Sequence, residues 1–317
     1  MIKLLVTVPC RKEIVERFQR EFPRELDITF ANEDPQIIAA TLPHAEVVIG
    51  EPAVELLPTA EKLKWMQITW AGADRYTRNF PKGVVLTNSS GAFGRIISEY
   101  TIGMILSQYK HLTKYYVNQQ KKLWEDLGHE RSLLNNKVLI LGTGNVGSAI
   151  AQKLHAFGTY NIGFNRTGRN AEHFDEIHTL ETLDTLLPQA DILIGALPKT
   201  TGTIGLLDLR RMLLMKKDAL LVNVGRGTMI VTKDLETALE QGHFYGVVLD
   251  VMDPEPLPES SPLWTNDRVL LTPHISGIGF DHEYATESTI WDICFENLHR
   301  YLSGKPLRNV VDPEIGY

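Results

Sequence analysis

Short apolar runs alternate along this chain with longer stretches whose apolar positions recur at helical spacing. That alternation marks a parallel sheet buried on both faces by its connecting helices. The first part predicts strands at residues 2–8, 26–30, 47–49, 66–68 and 84–87. Pro43, Gly50-Glu51-Pro52, Ala71-Gly72-Ala73-Asp74 and Pro81-Lys82-Gly83 punctuate them. A second series follows at 138–141, 160–164, 192–196, 220–223, 247–250 and 269–271. Between the two runs one uninterrupted helical pattern, from Ser98 to about Trp124. Its first half, with Tyr100, Ile102, Met104, Ile105, Leu106 and Tyr109, is apolar on nearly all sides and must be covered on all sides. Its second half, with Lys114, Asn118, Gln119, Lys121 and Lys122, is polar. Such a segment suits a bridge between domains, a subunit interface, or both. A last helix is predicted from about Glu283 to Leu302, where Ile290, Ile293, Cys294, Asn297, Leu298 and Tyr301 recur at helical spacing; Gly304 and Pro306 end it.

These patterns predict an α/β chain of two doubly wound parallel-sheet domains. One is discontinuous, residues 1–95 with 284–317; the other spans 96–283. A length of 317 residues agrees with two domains and with a large core. Hydrophobic residues at 43% and charged residues at 22% are ordinary for a globular protein. The net charge of -7 argues against nucleic-acid or anionic-membrane partners, which want a basic face. Cys10 and Cys294 are the only cysteines. They build neither a disulfide framework nor a metal-ligand pattern, so no metal is expected and a reducing cytoplasm fits. The start, Met1-Ile2-Lys3-Leu4-Leu5-Val6-Thr7-Val8, is short for a secretory signal and has no small-residue cleavage site; it reads as a buried first strand. No apolar run is long enough to span a membrane.

Leu139-Ile140-Leu141-Gly142-Thr143-Gly144-Asn145-Val146-Gly147 is a strand turning into a helix through Gly-x-Gly-x-x-Gly. In this context the motif is a dinucleotide site. Gly142 allows the tight turn, Gly144 lets backbone approach a pyrophosphate, and Gly147 lets helix and strand pack closely. The helix start offers unpaired N–H groups to the phosphates. At the end of the next strand an Asp or Glu would meet a free ribose 2′-OH. Here stand Asn165, Arg166, Thr167 and, after Gly168, Arg169. Asn165 does not repel a phosphate, and Arg166 stacks on adenine and grips a 2′-phosphate as a planar fork. The expected cofactor is therefore NADP(H) before NAD(H).

Three further residues each follow a predicted strand. Arg226, in Val224-Gly225-Arg226-Gly227, suits a carboxylate held through two parallel hydrogen bonds. Glu255 sits in Asp253-Pro254-Glu255-Pro256, where prolines stiffen the loop. His274, in Thr272-Pro273-His274-Ile275-Ser276-Gly277, is a candidate acid–base group. A carboxylate beside an imidazole stabilises the imidazolium and keeps a proton available for an alkoxide. Glu255 is the first candidate for that carboxylate and Asp253 the second.

Over nearly its whole length the chain resembles the D-isomer-specific 2-hydroxyacid dehydrogenases. The resemblance rests on residues 141–147, Ala196-Leu197-Pro198-Lys199-Thr200, Asn223-Val224-Gly225-Arg226-Gly227, Leu249-Asp250-Val251 through Glu255-Pro256-Leu257-Pro258, and Thr272-Pro273-His274, in the family's order and spacing. It implies Arg226 as clamp for the substrate carboxylate and carbonyl, His274 as acid–base and Glu255 as its partner. It also implies Leu197, Pro198, Val224 and Gly225 along the cofactor, Asp250 near its carboxamide, and Trp70-Ala71-Gly72-Ala73-Asp74 as a substrate loop whose backbone N–H groups hold the carboxylate. By the same resemblance the fold is a Rossmann cofactor domain with a flavodoxin-like substrate domain and a reaction cleft between them. The implied reaction is the reduction of a small 2-oxoacid to a D-2-hydroxyacid by a homodimer. The chain departs from the family at Asn165, where an acid is common, at Trp70, where small residues are frequent, and at Ile278-Gly279-Phe280. Two relatives offer other functions. Formate dehydrogenases lack the Glu of the acid–base pair, so Glu255 argues against that reading. Nucleotide-sensing corepressors keep the catalytic residues, and the lack of a long basic or disordered stretch argues against them.

Overall fold

The computed structural model describes residues 1–77, 80–280 and 284–312 and divides the chain into two compact units, 1–92 with 278–317 and 93–277. The first unit is built on five parallel strands: β1 (Ile2–Val6), β2 (Leu26–Phe30), β3 (Val47–Ile49), β4 (Trp65–Gln67) and β5 (Val85–Thr87). Their order is β2-β1-β3-β4-β5, the flavodoxin-like winding. Helices α1 (Lys12–Glu21) and α2 (Pro35–Thr41) make the first crossovers. Asp34 caps α2, its carboxylate accepting from the N–H groups of Gln36 and Ile37. Leu5, Val48, Met66 and Leu86 alternate onto one face and pack with Ile38 and Leu42.

The second unit opens with two helices, α3 (Gly94–Tyr109) and α4 (Leu112–Gln120). The single helix predicted from Ser98 to Trp124 is thus two. The chain breaks at Lys110–His111, where His111 takes a left-handed φ of 52°. A seven-stranded parallel sheet follows: β6 (Lys137–Leu141), β7 (Tyr160–Phe164), β8 (Glu176–His178), β9 (Ile192–Gly195), β10 (Leu220–Asn223), β11 (Gly246–Leu249) and β12 (Val269–Leu271). Its order, β12-β11-β10-β9-β6-β7-β8, reverses direction between β6 and β9. That is the switch point at which a Rossmann sheet binds a dinucleotide. The edge strand β8 was not predicted.

Both faces of this sheet are covered, as its near-continuous apolar strands require. Val138, Ile140, Val222 and Val248 face α3 and α5 (Asn145–His155). Leu139, Leu141, Leu193, Leu221 and Val247 face the other way, toward α6 (Leu183–Leu186), α7 (Leu209–Leu214) and α8 (Thr232–Glu240). Ile102, Ile105 and Tyr109 of α3 are buried in the first of these cores. The cover for that apolar stretch therefore comes from within the unit. The exposed apolar side chains lie further on, at Leu112, Tyr116, Val117, Leu123 and Trp124. The chain closes with α9 (Tyr284–Leu302), which returns to the first unit and sets Phe295 4.6 Å from Phe18 of α1. Glu283, predicted as its first residue, lies outside the described residues, as do 313–317 of the predicted first domain. No described helix is long and apolar enough to cross a membrane.

Candidate active site

Arg226, Glu255 and His274 follow three neighbouring strands, β10, β11 and β12. Asn223, the last residue of β10, closes the arginine turn: its amide donates to the Arg226 carbonyl at 3.0 Å and accepts the Gly225 N–H at 3.2 Å. Arg226 is half-buried, and its guanidinium donates to the Gly225 carbonyl at 2.9 Å. A Cβ on Gly227 would fall 1.8 Å from the Met252 carbonyl oxygen. Only glycine lets the arginine turn press against the loop that carries Glu255. Within that loop one Glu255 oxygen accepts the Met252 N–H at 2.8 Å, and the other lies 3.0 Å from His274 Nδ1. Glu255 is thus the carboxylate on the imidazole. Asp253, the second candidate, is exposed and offers its carbonyl to the Thr232 hydroxyl at 2.6 Å.

The His274 and Glu255 side chains are 51% and 36% exposed. Water screens such a pair, so it adds little to stability. Its consequence is orientation: with Nδ1 on the carboxylate, Nε2 is the nitrogen presented for chemistry. His274 is held in the left-handed region, φ 55°, unusual for a residue with a Cβ. Asp250 accounts for this. It is fully buried, and its carboxylate accepts the Thr272 hydroxyl at 2.7 Å, the Ile275 N–H at 2.9 Å and the Ser276 N–H at 3.0 Å. Its carbonyl accepts the His274 N–H at 2.9 Å. Thr272 in turn bonds the Tyr100 hydroxyl of α3 at 2.5 Å, and burial pushes that phenol up to about 12, so it remains a neutral hydroxyl. Gly277 lets the strand's exit pass close to α3, a Cβ there lying 3.1 Å from Ile97.

The dinucleotide turn is built at the switch point. Gly142 has φ 109°, and a Cβ there would meet the Ala196 carbonyl oxygen at 2.6 Å; at Gly147 it would meet the Gly142 carbonyl oxygen at 1.8 Å. A Cβ on Gly144 would meet nothing within 4 Å. Two glycines are therefore demanded by the protein's own backbone, and the third fronts open space. This division fits a pyrophosphate approaching Gly144 and the start of α5, where Asn145 is exposed and Val146 half-buried. Asn165, after β7, donates to the Thr143 hydroxyl at 3.0 Å and the Arg169 carbonyl at 2.8 Å, and accepts the Thr167 N–H at 3.1 Å. It shapes the turn that displays Arg166 and Thr167, both exposed. Leu197 and Pro198, half-buried, follow β9 on the other side of the switch point, and a Cβ on Gly225 would lie 2.8 Å from the Leu197 carbonyl oxygen. Val224 is buried beside it.

Trp70, Ala71 and Gly72 lie in the other unit, in the loop after β4. The Trp70 carbonyl accepts the Ser89 N–H at 2.9 Å, and the Asn88 amide donates to the Ala71 carbonyl at 2.7 Å. Trp70 is 41% exposed. Sequence reasoning missed the support for these groups: Asn223 beneath Arg226, the Thr272–Tyr100 pair, and Glu51 beside the Trp70 loop. Asn223 and Thr272 stood inside quoted motifs and signalled nothing beyond them. Glu51 was legible as the one charge at the end of an apolar strand, in Gly50-Glu51-Pro52.

Comparison with known proteins meets this geometry. The profile of the D-isomer-specific 2-hydroxyacid dehydrogenase NAD-binding domain matches residues 102–276. The chain belongs to the D-isomer-specific 2-hydroxyacid dehydrogenases. It is 30% identical to glyoxylate/hydroxypyruvate reductase A of Photorhabdus laumondii, over 86% of this chain and 88% of the other. A family member of known structure from Aeromonas salmonicida is 33% identical, with a TM-score of 0.89, over 98% of this chain and 99% of the other. An NADPH-dependent glyoxylate/hydroxypyruvate reductase from Sinorhizobium meliloti, solved with NADP and sulfate, is 26% identical with a TM-score of 0.85 over the full length of both chains. As a member of this family the protein is an oxidoreductase with a Rossmann dinucleotide-binding domain.

Proposed function

We propose that this protein reduces a small 2-oxoacid, with glyoxylate and hydroxypyruvate the first candidates, to the D-2-hydroxyacid, and prefers NADPH to NADH. The observation that carries the reading is His274 Nδ1 at 3.0 Å from Glu255 beside the Arg226 turn. Bound nicotinamide supplies the hydride. Arg226 grips the substrate carboxylate and steers the carbonyl. The backbone N–H groups of Trp70, Ala71 and Gly72 share that carboxylate. His274 donates the proton from Nε2 to the oxygen that becomes the hydroxyl, while Glu255 faces the positive ring until the proton leaves. In the oxidative direction the neutral ring takes the proton back.

Preference for NADPH is supported by Asn165 and Arg166 in place of an acid after β7, and by relatives solved with NADP or NADPH. We also propose a homodimer, joined through the exposed apolar side chains of α4 and the segment after it, and a cytoplasmic location, which suits two free thiols. Initial rates with NADPH and NADH against a panel of 2-oxoacids test the reading. Turnover of a small 2-oxoacid, faster with NADPH, is expected. No turnover of any 2-oxoacid with either cofactor overturns it.

A further inference from the structure

The Tyr100 hydroxyl reaches the loop that carries His274, and the reaction above does not use it. Helix α3 runs opposite in direction to β12 and meets it at both ends. The Gln108 amide donates to the carbonyl of Arg268, just before β12, at 3.4 Å. The Tyr100 hydroxyl meets that of Thr272, just after β12, at 2.5 Å. Eight helical residues span about 12 Å, and four strand residues about 13 Å, so one face of the helix keeps step with the strand. Ile97 lies one turn before Tyr100 on the same face. Together with Phe93 it closes on Gly277, where a Cβ would lie 3.1 Å from Ile97 and 3.6 Å from Phe93. The α3 face thus flanks His274 on both sides, at Thr272 before it and at Gly277 after it.

The direction of the hydrogen bonds decides what Tyr100 does there. Asp250 accepts the Ile275 N–H on one oxygen and the Ser276 N–H on the other. The Thr272 hydroxyl donates to the first of these oxygens at 2.7 Å. A hydroxyl has one hydrogen, so at Tyr100 the Thr272 oxygen accepts and the phenol donates. Burial pushes that phenol up to about 12, so it keeps its hydrogen at neutral pH. That hydrogen is committed to Thr272, and Tyr100 has none to give a substrate. The array runs one way, from Tyr100 through Thr272 to Asp250, and ends on the two N–H groups that follow His274.

We propose that Tyr100 is a positioning residue for proton transfer: by fixing Thr272 against α3 it completes the array that aims His274, although it touches neither substrate nor cofactor. This rests on the reading of His274 as the proton donor. Asp250 ties the loop to its own sheet, and Tyr100 ties the same loop to the helix in front of it.

The test is kcat and KM for glyoxylate at saturating NADPH, with Tm, in the wild type, Tyr100→Phe, Thr272→Val, Thr272→Ser and the double variant Tyr100→Phe with Thr272→Val. Tyr100→Phe removes one oxygen and keeps the ring. Its kcat should fall about tenfold, less than the hundredfold of a full 1 Å displacement. KM should stay unchanged, so that kcat and kcat/KM fall together. Thr272→Val should lose at least as much, and Thr272→Ser, which keeps the hydroxyl, should recover most of that loss. In the double variant the two losses should not multiply, because both act through one bond. Should Tyr100→Phe not fold, Thr272→Val decides in the same way, since it removes the same bond from the other side. A wild-type kcat in Tyr100→Phe, even with a lowered Tm, overturns the proposal and leaves the functional reading standing; so do losses that multiply. Absence of 2-oxoacid turnover in the wild type overturns both.

Discussion

Asp250→Asn separates two roles for one buried carboxylate. The family resemblance sets Asp250 beside the nicotinamide; the structure makes it the tether of the His274 loop. One carboxylate oxygen accepts from Thr272 and Ile275, the other from Ser276. Asparagine keeps one acceptor oxygen and turns an NH₂ group toward the Ser276 N–H. Ser276 is 3% exposed, so water cannot take the place of the lost acceptor. An unsatisfied buried donor costs about 1–3 kcal/mol. In a unit of this size that lowers Tm by roughly 2–4 °C per kcal/mol. The loop then relaxes, and His274 loses the constraint that holds φ at 55°. A displacement of about 1 Å in a reacting group costs on the order of a hundredfold in rate.

Calorimetry, fluorescence titration with NADPH and single-turnover reduction together read these terms. The expected outcome is a lower Tm, a rate of reduction down by about a hundredfold, and an almost unchanged Kd for NADPH. A wild-type rate with a weakened NADPH Kd would refute the tether and assign Asp250 to the cofactor.

Glu255→Gln keeps contact with Nδ1 and removes the charge opposite it; kcat for reduction should fall by about a hundredfold or more with NADPH affinity unchanged, and an unchanged kcat would remove Glu255 from proton transfer. Arg166→Ala deletes a charge-assisted bond worth roughly 1.5–3 kcal/mol. It should lower kcat/KM with NADPH about tenfold or more and leave NADH nearly untouched, whereas equal losses with both cofactors would show that Arg166 does not read the 2′-phosphate. Leu123→Glu with Trp124→Glu places charge in the exposed apolar segment after α4 and should give a monomer by sedimentation where the wild type is a dimer; a dimer of unchanged stability would move the interface elsewhere.

What the sequence disclosed was local. A glycine turn between a strand and a helix, and an arginine, a glutamate and a histidine each just past a strand, are legible because their signals lie within a few residues of the groups they position. Pairings made across the fold were not legible. The strand Glu176–His178 escaped because it is a short edge with polar ends and only partial burial, so no alternation marks it. The helix break at His111 carries neither Gly nor Pro. The cover of Ile102, Ile105 and Tyr109 comes from α5 and the sheet, far along the chain. The bonds from Asp250 to Thr272, Ile275 and Ser276 exist because β11 pairs with β12, and the bonds from Glu51 to Thr69 because β3 pairs with β4.

The same pairings explain why three residues so far apart in sequence follow three neighbouring strands. Leu220 pairs with Gly246, and Val247 with Val269, so β10, β11 and β12 run level. Adjacent strands stand about 4.8 Å apart, which places the three exits in a row along one edge of the sheet. Each exit is then fixed by a bond that crosses to a neighbour or closes its own turn: Asn223 holds the Arg226 turn, Gly227 admits Met252, and Asp250 spans to Thr272 and Ser276. Arg226 and the His274–Glu255 pair therefore inherit their spacing from backbone pairing, and only the last few bonds of each set the side chain. Exposure of His274 and Glu255 is compatible with a fixed geometry for that reason. The constraint lies in the buried Asp250 carboxylate, which holds Thr272, Ile275 and Ser276 on either side of His274.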